Sequence, residues 1–364
     1  MKNIKEYTPG FNIDDVKKKY KIKKVVKLAS NENPFVSDKV KQLLKSSNNE
    51  INLYPKSHPI GLQKLIAKKV GYDIKENNIL MGNGSNEILE FIARAKLDKN
   101  SEAIIPKHSF LVYEIISKLQ GAKIINTSPC LEKKNLNYLG VDVESIINKI
   151  STRTKLIFIA NPANPTGTYI KLSEIKYLLN NISKKITVVV DEAYFEYLDN
   201  KTKSAVSLIK KYSNLFVTRS FSKIYGLAAL RIGYGISQTK NILGLKVFKQ
   251  PFNTNALAQS AALLAMKDKK FFVESKKNNN IQINKLVLCF RKLSINYLGL
   301  YCNFITFKSG KSTKELFDYL IKNGVIIRPL DNYKLPEYLR VSIGNSKDVN
   351  LFIKHLTKFY EQKI

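Results

Sequence analysis

The chain contains few of the residues that build disulfide frameworks and metal sites. Its 364 residues include no Trp, three Met, three Cys and three His. The cysteines, Cys130, Cys289 and Cys302, are odd in number and lack CxxC spacing, and no histidine has a ligand partner at helical spacing. The sequence therefore argues against a disulfide framework and a structural zinc site. We expect a protein without bound metal in a reducing cytoplasm.

Long apolar runs are also missing. No segment approaches the roughly 20 apolar residues of a membrane-spanning helix, and residues 1–12 have no apolar core followed by a small-residue cleavage site. We therefore expect a protein that is neither in a membrane nor secreted. Hydrophobic residues make up 44% of the chain and charged residues 25%, which is ordinary for a folded globular protein.

Acidic residues are scarce relative to basic ones. The chain has 29 Asp and Glu against 61 Lys and Arg, a formal net charge of +32. Such an excess could attract nucleic acid, anionic lipid or phosphorylated metabolites. The lysines are scattered along the whole chain, however, and no helix-turn-helix, zinc or RNA-binding motif accompanies them. We interpret the charge as a lysine-rich surface without a nucleic-acid partner, and an RNA-binding basic protein stays as the non-enzymatic alternative.

Strand-like and helix-like segments alternate through the first two thirds of the chain. Apolar strands are predicted at 103–105, 123–125, 156–159 and 186–190, and a helix at 172–180 joins the last two. A connection of this length between two apolar strands is typical of a parallel crossover. The alternation predicts an α/β fold with a mainly parallel sheet covered by helices on both faces.

The pattern changes after residue 255, where a long helical stretch is followed by shorter strands and helices. This change predicts a second, smaller α+β domain, in line with the length of the chain. The predicted boundaries are an N-terminal arm over residues 1–45 that joins the small domain, a large domain over 46–250, and the small domain over 251–364.

Two loops with polar side chains follow neighbouring strands of the predicted sheet. Residues 164–167 read Asn-Pro-Thr-Gly after one strand, and Asp191 and Tyr194 follow the next. In sheets of this kind ligands bind beyond the carboxyl ends of the strands, so both loops are expected at one rim. A simple turn and a helix cap are the alternative explanations for these two loops.

Lys223 ends a Ser-Phe-Ser-Lys run just after a further predicted strand, at 215–218. Ser220 and Ser222 can donate to phosphate oxygens, and Arg231 can bind them in a bidentate manner. A single lysine is usually a solvated surface residue. Together with the Asp191 carboxylate, however, this set provides what pyridoxal phosphate requires: a lysine for the imine, a phosphate site and an acid facing the ring nitrogen.

The glycine-rich turn at 82–87 precedes an apolar helix. Its free backbone amides and the positive end of the helix dipole can bind a phosphate, and Ser85 and Asn86 lie in this turn. Phe110 could stack on the cofactor ring, although an aromatic residue at this spacing more often belongs to the core. Tyr194 and Asn164 can each form a hydrogen bond with the phenolic oxygen of the ring.

Four segments carry a resemblance to a known family: residues 27–34, 164–167, 220–223 and 325–330. Together they resemble the fold type I pyridoxal-phosphate-dependent aminotransferases of the class II family, and within them the histidinol-phosphate aminotransferases. The resemblance spans nearly the whole chain. It implies a mainly parallel sheet of the seven-stranded type, with a smaller α+β domain.

The resemblance also implies a role for individual residues. Lys223 would form the imine and carry the proton, Asp191 would face the ring nitrogen, and Phe110 would stack on the ring. Tyr194 and Asn164 would bind the ring oxygen. The cofactor phosphate would meet Ser85, Asn86, Ser220, Ser222, Arg231 and, from the neighbouring subunit of a homodimer, Tyr54. The substrate would meet Arg340, Arg328, Tyr7 and Asn33.

The reaction implied is a ping-pong amino transfer in histidine biosynthesis. Its substrate pairs would be histidinol phosphate with imidazole-acetol phosphate, and glutamate with 2-oxoglutarate. Aromatic amino acid aminotransferases and threonine-phosphate decarboxylases share most of these residues and are the alternatives. Arg328 favours a phosphorylated substrate without separating imidazole from threonine side chains. The sequence departs from the family pattern at Ala163, where asparagine is common, and at Asn86, where aspartate is common, and neither change removes a catalytic group.

Overall fold

The computed structural model describes residues 10–46, 52–133, 135–309 and 313–362. The strands in these ranges are β1 (Val26–Lys27), β2 (Ile79–Gly82), β3 (Glu102–Pro106), β4 (Lys123–Thr127), β5 (Thr154–Ala160), β6 (Thr187–Asp191), β7 (Leu215–Ser220), β8 (Gly233–Ile236), β9 (Phe304–Lys308), β10 (Val325–Ile326), β11 (Arg328–Pro329) and β12 (Tyr338–Ser342). The α-helices are α1 (Ile13–Tyr20), α2 (Asp38–Lys45), α3 (Ile60–Val70), α4 (Ser85–Lys96), α5 (Val112–Leu119), α6 (Val143–Ile147), α7 (Leu172–Asn180), α8 (Thr239–Lys246), α9 (Ala256–Lys267), α10 (Lys269–Lys292), α11 (Thr313–Lys322) and α12 (Ser346–Glu361).

A seven-stranded sheet forms the centre of the molecule, in the order β2-β8-β7-β6-β5-β3-β4. The strands from β3 to β7 pair in parallel, and β8 is antiparallel to both of its neighbours. The predicted α/β class with a mainly parallel sheet is therefore confirmed. Strands β2 and β8 were not predicted, because each has only four residues and β8 contains two glycines, which weaken a strand pattern.

Side chains of the central strands alternate between the two apolar faces of the sheet. Val188 and Val190 of β6 pack on the face covered by α3, α7 and α9, whereas Val189 packs on the face covered by α4, α5 and α8. Successive residues of a strand point to opposite faces, so a sheet covered on both faces requires a continuous apolar run. This is why β5 and β6 were recognisable in the sequence.

A second core lies around the three-stranded antiparallel sheet β11-β12-β9 and the helices α10, α11 and α12. Val16 of α1 and Leu28 belong to this core, and β1 pairs in parallel with β10. The N-terminal segment therefore packs with the C-terminal part of the chain. The boundaries at residues 45 and 250 stay predictions. Among the helices in the described ranges, none combines the length and the apolar character needed to cross a membrane.

Candidate active site

A cavity of about 410 Å³ opens at the rim where β5, β6 and β7 end, and the second core closes its far side. Because neighbouring parallel strands end together, the residues that follow them meet at this rim. Asp191, the last residue of β6, pairs in register with Ala160 of β5 and Thr218 of β7. The predicted site residues that line the cavity are Ser85, Asn86, Phe110, Asn164, Asp191, Tyr194, Ser220, Ser222, Lys223, Arg231, Arg328 and Arg340.

The amine of Lys223 projects into this cavity. Its Nζ lies 3.4 Å from the carbonyl oxygen of Ser30 and 5.6 Å from the centroid of the Tyr194 ring. Burial lowers the pKa of Lys223 to about 8, the positive charge of Arg340 acts in the same direction, and Glu32 opposes both. About a tenth of the amine is therefore uncharged at pH 7, against less than about a thousandth for an ordinary lysine, and the uncharged form is the one that attacks a carbonyl carbon.

Asp191 provides a buried carboxylate at the floor of the cavity. Tyr113 donates a hydrogen bond to its Oδ2 at 2.8 Å, and Thr218 donates to its Oδ1 at 2.9 Å. Burial raises the pKa of Asp191, and the hydrogen bonds from Tyr113 and Thr218 act against that rise. The carboxylate is thus fixed in orientation by two neutral donors that the sequence did not reveal.

Tyr194 and Asn164 are each held by one hydrogen-bond partner. Asn31 donates from Nδ2 to the Tyr194 hydroxyl at 2.9 Å, and Arg340 donates to Oδ1 of Asn164. Burial raises the pKa of Tyr194, so its hydroxyl keeps its proton. Because Tyr194 Oη accepts from Asn31 and the Asn164 carbonyl accepts from Arg340, both side chains retain a donor for a ligand in the cavity.

Ser220, Ser222 and Arg231 form a cradle beside the N-terminus of α4. Arg231 NH1 lies 3.4 Å from the Ser222 hydroxyl, and Ser85 is the first residue of α4. A Cβ added at Gly233 would lie 2.4 Å from the backbone nitrogen of Ser85. Only glycine therefore permits this approach of β8 to the helix, whose unpaired amides, with the hydroxyls and the guanidinium, suit an anion.

Two buried arginines close the side of the cavity formed by the small sheet. Arg328 of β11 and Arg340 of β12 are directly paired in antiparallel register. Arg340 Nη2 donates to the carbonyl oxygen of Ala29 at 2.9 Å. Within the described part of the chain, the buried Nε of Arg340 has no hydrogen-bond partner. The guanidinium groups of these two arginines can therefore bind anionic groups of a molecule that enters the cavity.

Two predicted site residues, Asn33 and Tyr54, lie outside this cavity. Asn33 does not line the cavity: its side chain donates to the carbonyl oxygen of Ile224 at 2.8 Å and to the Ser275 hydroxyl at 3.2 Å. Tyr54 is 83% exposed, stacks on Phe252 with centroids 4.7 Å apart, and lines a separate surface groove. Tyr7 lies outside the described residues.

Sequence reasoning missed Asn31, although it lies in a quoted motif. Asn31 is buried with a φ of +55°, a conformation that asparagine tolerates better than most residues. Its backbone nitrogen donates to the Ser342 hydroxyl at 2.8 Å, and Asn303 donates to its carbonyl oxygen at 3.0 Å. Asn31 thus connects the N-terminal segment, the small sheet and Tyr194. The sequence signal that could have revealed Asn31 is the tolerance of asparagine for positive φ.

Comparison with known proteins shows the family. The family model described as aminotransferase class I and II matches residues 23–356. The chain is 39% identical over 357 residues to a histidinol-phosphate aminotransferase of Pelagibacter ubique, covering 96% of this chain and 95% of that protein. It is 36% identical over 360 residues to histidinol-phosphate aminotransferase 1 of Idiomarina loihiensis, covering 98% and 96%.

The fold is also similar to that of a solved structure. The histidinol-phosphate aminotransferase of Sinorhizobium meliloti, in complex with pyridoxal-5'-phosphate, superposes with a TM-score of 0.88 at 18% identity, covering 100% of this chain and 98% of that one. At this identity the similarity establishes the fold, and the family follows from the model and from the two relatives. The chain belongs to the class I and II aminotransferases.

Proposed function

We propose that this enzyme transfers an amino group between histidinol phosphate and 2-oxoglutarate, giving imidazole-acetol phosphate and glutamate, as a step of histidine biosynthesis in the cytoplasm. The observation that carries the proposal is one cavity with Lys223 and Asp191 on one side and the paired Arg328 and Arg340 on the other. The two relatives described above bear the name of this activity.

The cavity residues fit pyridoxal phosphate. Asp191 would face the ring nitrogen, Phe110 would stack on one face of the ring, and Tyr194 and Asn164 would donate to the ring oxygen. When bound, the cofactor supplies an electron-withdrawing ring conjugated with the reacting carbon. The glycine-dependent cradle at the N-terminus of α4 supports this fit. The phosphate would be held by Ser85, Asn86, Ser220, Ser222 and Arg231.

Lys223 would hold the cofactor covalently and then carry the proton. Its pKa of about 8 lets the amine accept and release a proton near neutral pH. Its Nζ lies 3.4 Å from the Ser30 carbonyl oxygen, and both residues line the cavity. The same side chain would therefore take the proton from the substrate carbon that bears the nitrogen and deliver it to the reacting carbon of the cofactor.

Arg340 and Arg328 would select anionic substrates. Arg340 would bind the carboxylate of glutamate or 2-oxoglutarate, and Arg328 would bind the phosphate of histidinol phosphate, because a guanidinium fork matches either anion. The proposed contact of Tyr7 with the same phosphate stays a prediction. Asn33 would act indirectly, because its side chain holds the carbonyl of Ile224, the residue after Lys223.

The proposed active form is a homodimer. Tyr54 lies in a surface groove of about 600 Å³ lined by Leu53, Leu257, Leu263 and Leu264, outside the cavity that holds the other cofactor residues. Tyr54 can contribute to a phosphate site only by reaching a neighbouring molecule, and an exposed apolar groove is typical of a protein interface. A second copy of the chain would cover this groove.

The test is the spectrum and substrate range of the purified protein. With pyridoxal phosphate the protein is expected to absorb visible light, and addition of histidinol phosphate should remove that band. Turnover with 2-oxoglutarate should be faster for histidinol phosphate than for phenylalanine, and threonine phosphate should not be decarboxylated. A colourless protein that binds RNA tightly at low salt would contradict the proposal.

A further inference from the structure

The buried tyrosine Tyr113 contacts the Asp191 carboxylate without lying in any sequence motif. Its hydroxyl donates to Asp191 Oδ2 at 2.8 Å, and both side chains are buried. The Tyr113 ring stacks on Phe158 with centroids 4.8 Å apart and an interplanar angle of 3°, and it meets the edge of Phe110 at 5.7 Å. The ring is therefore held from two sides, and its hydroxyl has a fixed direction.

Thr218 completes the arrangement from the opposite oxygen. Its hydroxyl donates to Asp191 Oδ1 at 2.9 Å, and it pairs in register with Asp191 across β6 and β7. Each carboxylate oxygen thus receives a neutral hydroxyl donor, and a backbone hydrogen bond from Ala193 also lowers the pKa of Asp191. A carboxylate oxygen can accept more than one hydrogen bond, so both oxygens keep acceptor capacity for a ligand in the cavity.

We propose that Tyr113 is a positioning residue which, with Thr218, keeps the Asp191 carboxylate ionised and oriented so that the proton it shares with the cofactor ring stays on the ring nitrogen. This inference rests on the proposed role of Asp191. Its physical basis is the basicity of the Asp191 carboxylate relative to that of the ring nitrogen, because these two groups share the proton. A hydroxyl donor stabilises the anionic form of a carboxylate and lowers its basicity.

The neutral character of both donors matters for this function. A lysine or arginine in place of Tyr113 would hold the carboxylate ionised but would also repel the positive charge on the ring. Burial raises the pKa of Asp191, and the Tyr113 and Thr218 hydrogen bonds counteract it. Without the Tyr113 hydroxyl the carboxylate would be a stronger base, so Asp191 would hold more of the shared proton and the ring would withdraw fewer electrons.

The experiment is a pH titration of the visible absorption of the pyridoxal-phosphate holoenzyme. In Tyr113→Phe the ring should withdraw fewer electrons, so the nitrogen that joins Lys223 to the cofactor should keep its proton to higher pH. We expect the midpoint of the absorbance titration to rise by about one pH unit and kcat to fall about tenfold. Both effects are on the scale of one hydrogen bond to a charged group, about tenfold in an equilibrium. Thr218→Val should shift the midpoint in the same direction.

Two controls separate this role from simple packing. Tyr212→Phe removes another buried tyrosine hydroxyl, one that donates to Asn180 at 2.6 Å, and should leave the midpoint unchanged. In an Asp191→Asn background, Tyr113→Phe should cause no further shift, because the proton acceptor is already gone.

An unchanged midpoint in Tyr113→Phe would overturn the inference, and so would an equal shift in the Asp191→Asn background. Thr218→Val decides the question if Tyr113→Phe does not fold, because it removes the second donor to the same carboxylate. These results are distinct from a failure of the proposed function, which would appear in the unsubstituted enzyme as the absence of the visible band or of turnover.

Discussion

Lys223 is the residue on which the chemistry of the site depends. In Lys223→Ala, turnover of histidinol phosphate should fall by roughly a thousandfold or more, because both the covalent attachment and the proton carrier are lost. Cofactor binding should persist in part through the phosphate cradle and Asp191. Activity assays and borohydride reduction followed by mass analysis of the peptide measure the two effects.

The matched control for this substitution is Lys240→Ala, which removes an exposed lysine at the start of α8. It should retain normal activity and normal covalent capture of the cofactor. Normal amino transfer by Lys223→Ala would contradict the assignment, as would borohydride attachment of the cofactor at another lysine.

The low pKa of Lys223 predicts a pH dependence for cofactor capture by the cofactor-free protein. The attacking form is the uncharged amine, so the capture rate should rise with pH and level off above about 8, rather than above the ordinary lysine value of 10.5. The positive charge of Arg340 contributes to the low pKa. Arg340→Gln should therefore move the midpoint of the rate profile to higher pH.

Stopped-flow absorbance at a series of pH values measures this profile. Lys240→Ala should reproduce the profile of the unsubstituted protein, because that lysine is exposed on α8. A midpoint near 10 in the unsubstituted protein would show that burial does not lower the pKa of the Lys223 amine.

At the scale of strands and helices, the pairing of β11 with β12 places Arg328 and Arg340 side by side. Arg328→Gln should raise KM for histidinol phosphate by about tenfold to a hundredfold, since a hydrogen bond to a charged group contributes about 1.5–3 kcal/mol. The half-reaction with glutamate, which has no phosphate, should change little. Steady-state kinetics with each substrate in turn measures the difference.

Arg340→Gln is the comparison for this prediction. Its guanidinium also holds Asn164 and the carbonyl of Ala29, so it should weaken both half-reactions. If Arg328→Gln raised KM equally for glutamate and histidinol phosphate, this residue would support the structure of the cavity and would not bind the substrate phosphate.

The helices and strands that the sequence predicted are those with an unambiguous apolar period. The continuous run of β6 and the amphipathic helix α7 are set by local patterns. The partners of Asp191 could not be predicted, because Tyr113 and Thr218 lie 78 and 27 residues away in the chain. Their contact depends on how α5 packs on the sheet, which is a property of the tertiary structure.

The glycine-rich strand β8 is a second feature that could not be predicted from local sequence patterns. Gly233 and Gly235 reduce strand propensity, yet an added Cβ at either position would meet α4, at Ser85 and at Ile88 respectively. These glycines are required by the close packing of the strand under the helix. A sequence pattern shows that a glycine is present but does not show which neighbour requires it.

At the scale of the whole molecule, the two cores meet around the cavity, and the N-terminal segment joins them. Ser342 and Asn303 of the small sheet region bind Asn31, which in turn binds Tyr194 at the rim of the large sheet. The geometry of the ring-oxygen site therefore depends on contacts from three separate parts of the chain. The motif that contains Asn31 was recognisable in the sequence, but this connecting function was not.

Substitutions at Leu53 and Tyr54 should separate the effect of dimer formation from the effect of a direct contact with the cofactor. Leu53 is 55% exposed in the groove, so Leu53→Glu should leave the fold intact, place a charge in an apolar interface and shift the protein to monomers with weaker cofactor binding. Tyr54→Phe should remain dimeric and lose cofactor affinity alone, by about tenfold, because only the hydroxyl bond to the phosphate is removed.

Analytical ultracentrifugation measures the oligomeric state of these variants, and cofactor titration measures their affinity for pyridoxal phosphate. Leu136→Glu, at an exposed leucine outside the groove, should change neither, and a fully active Leu53→Glu monomer would show that the active site is complete within one chain.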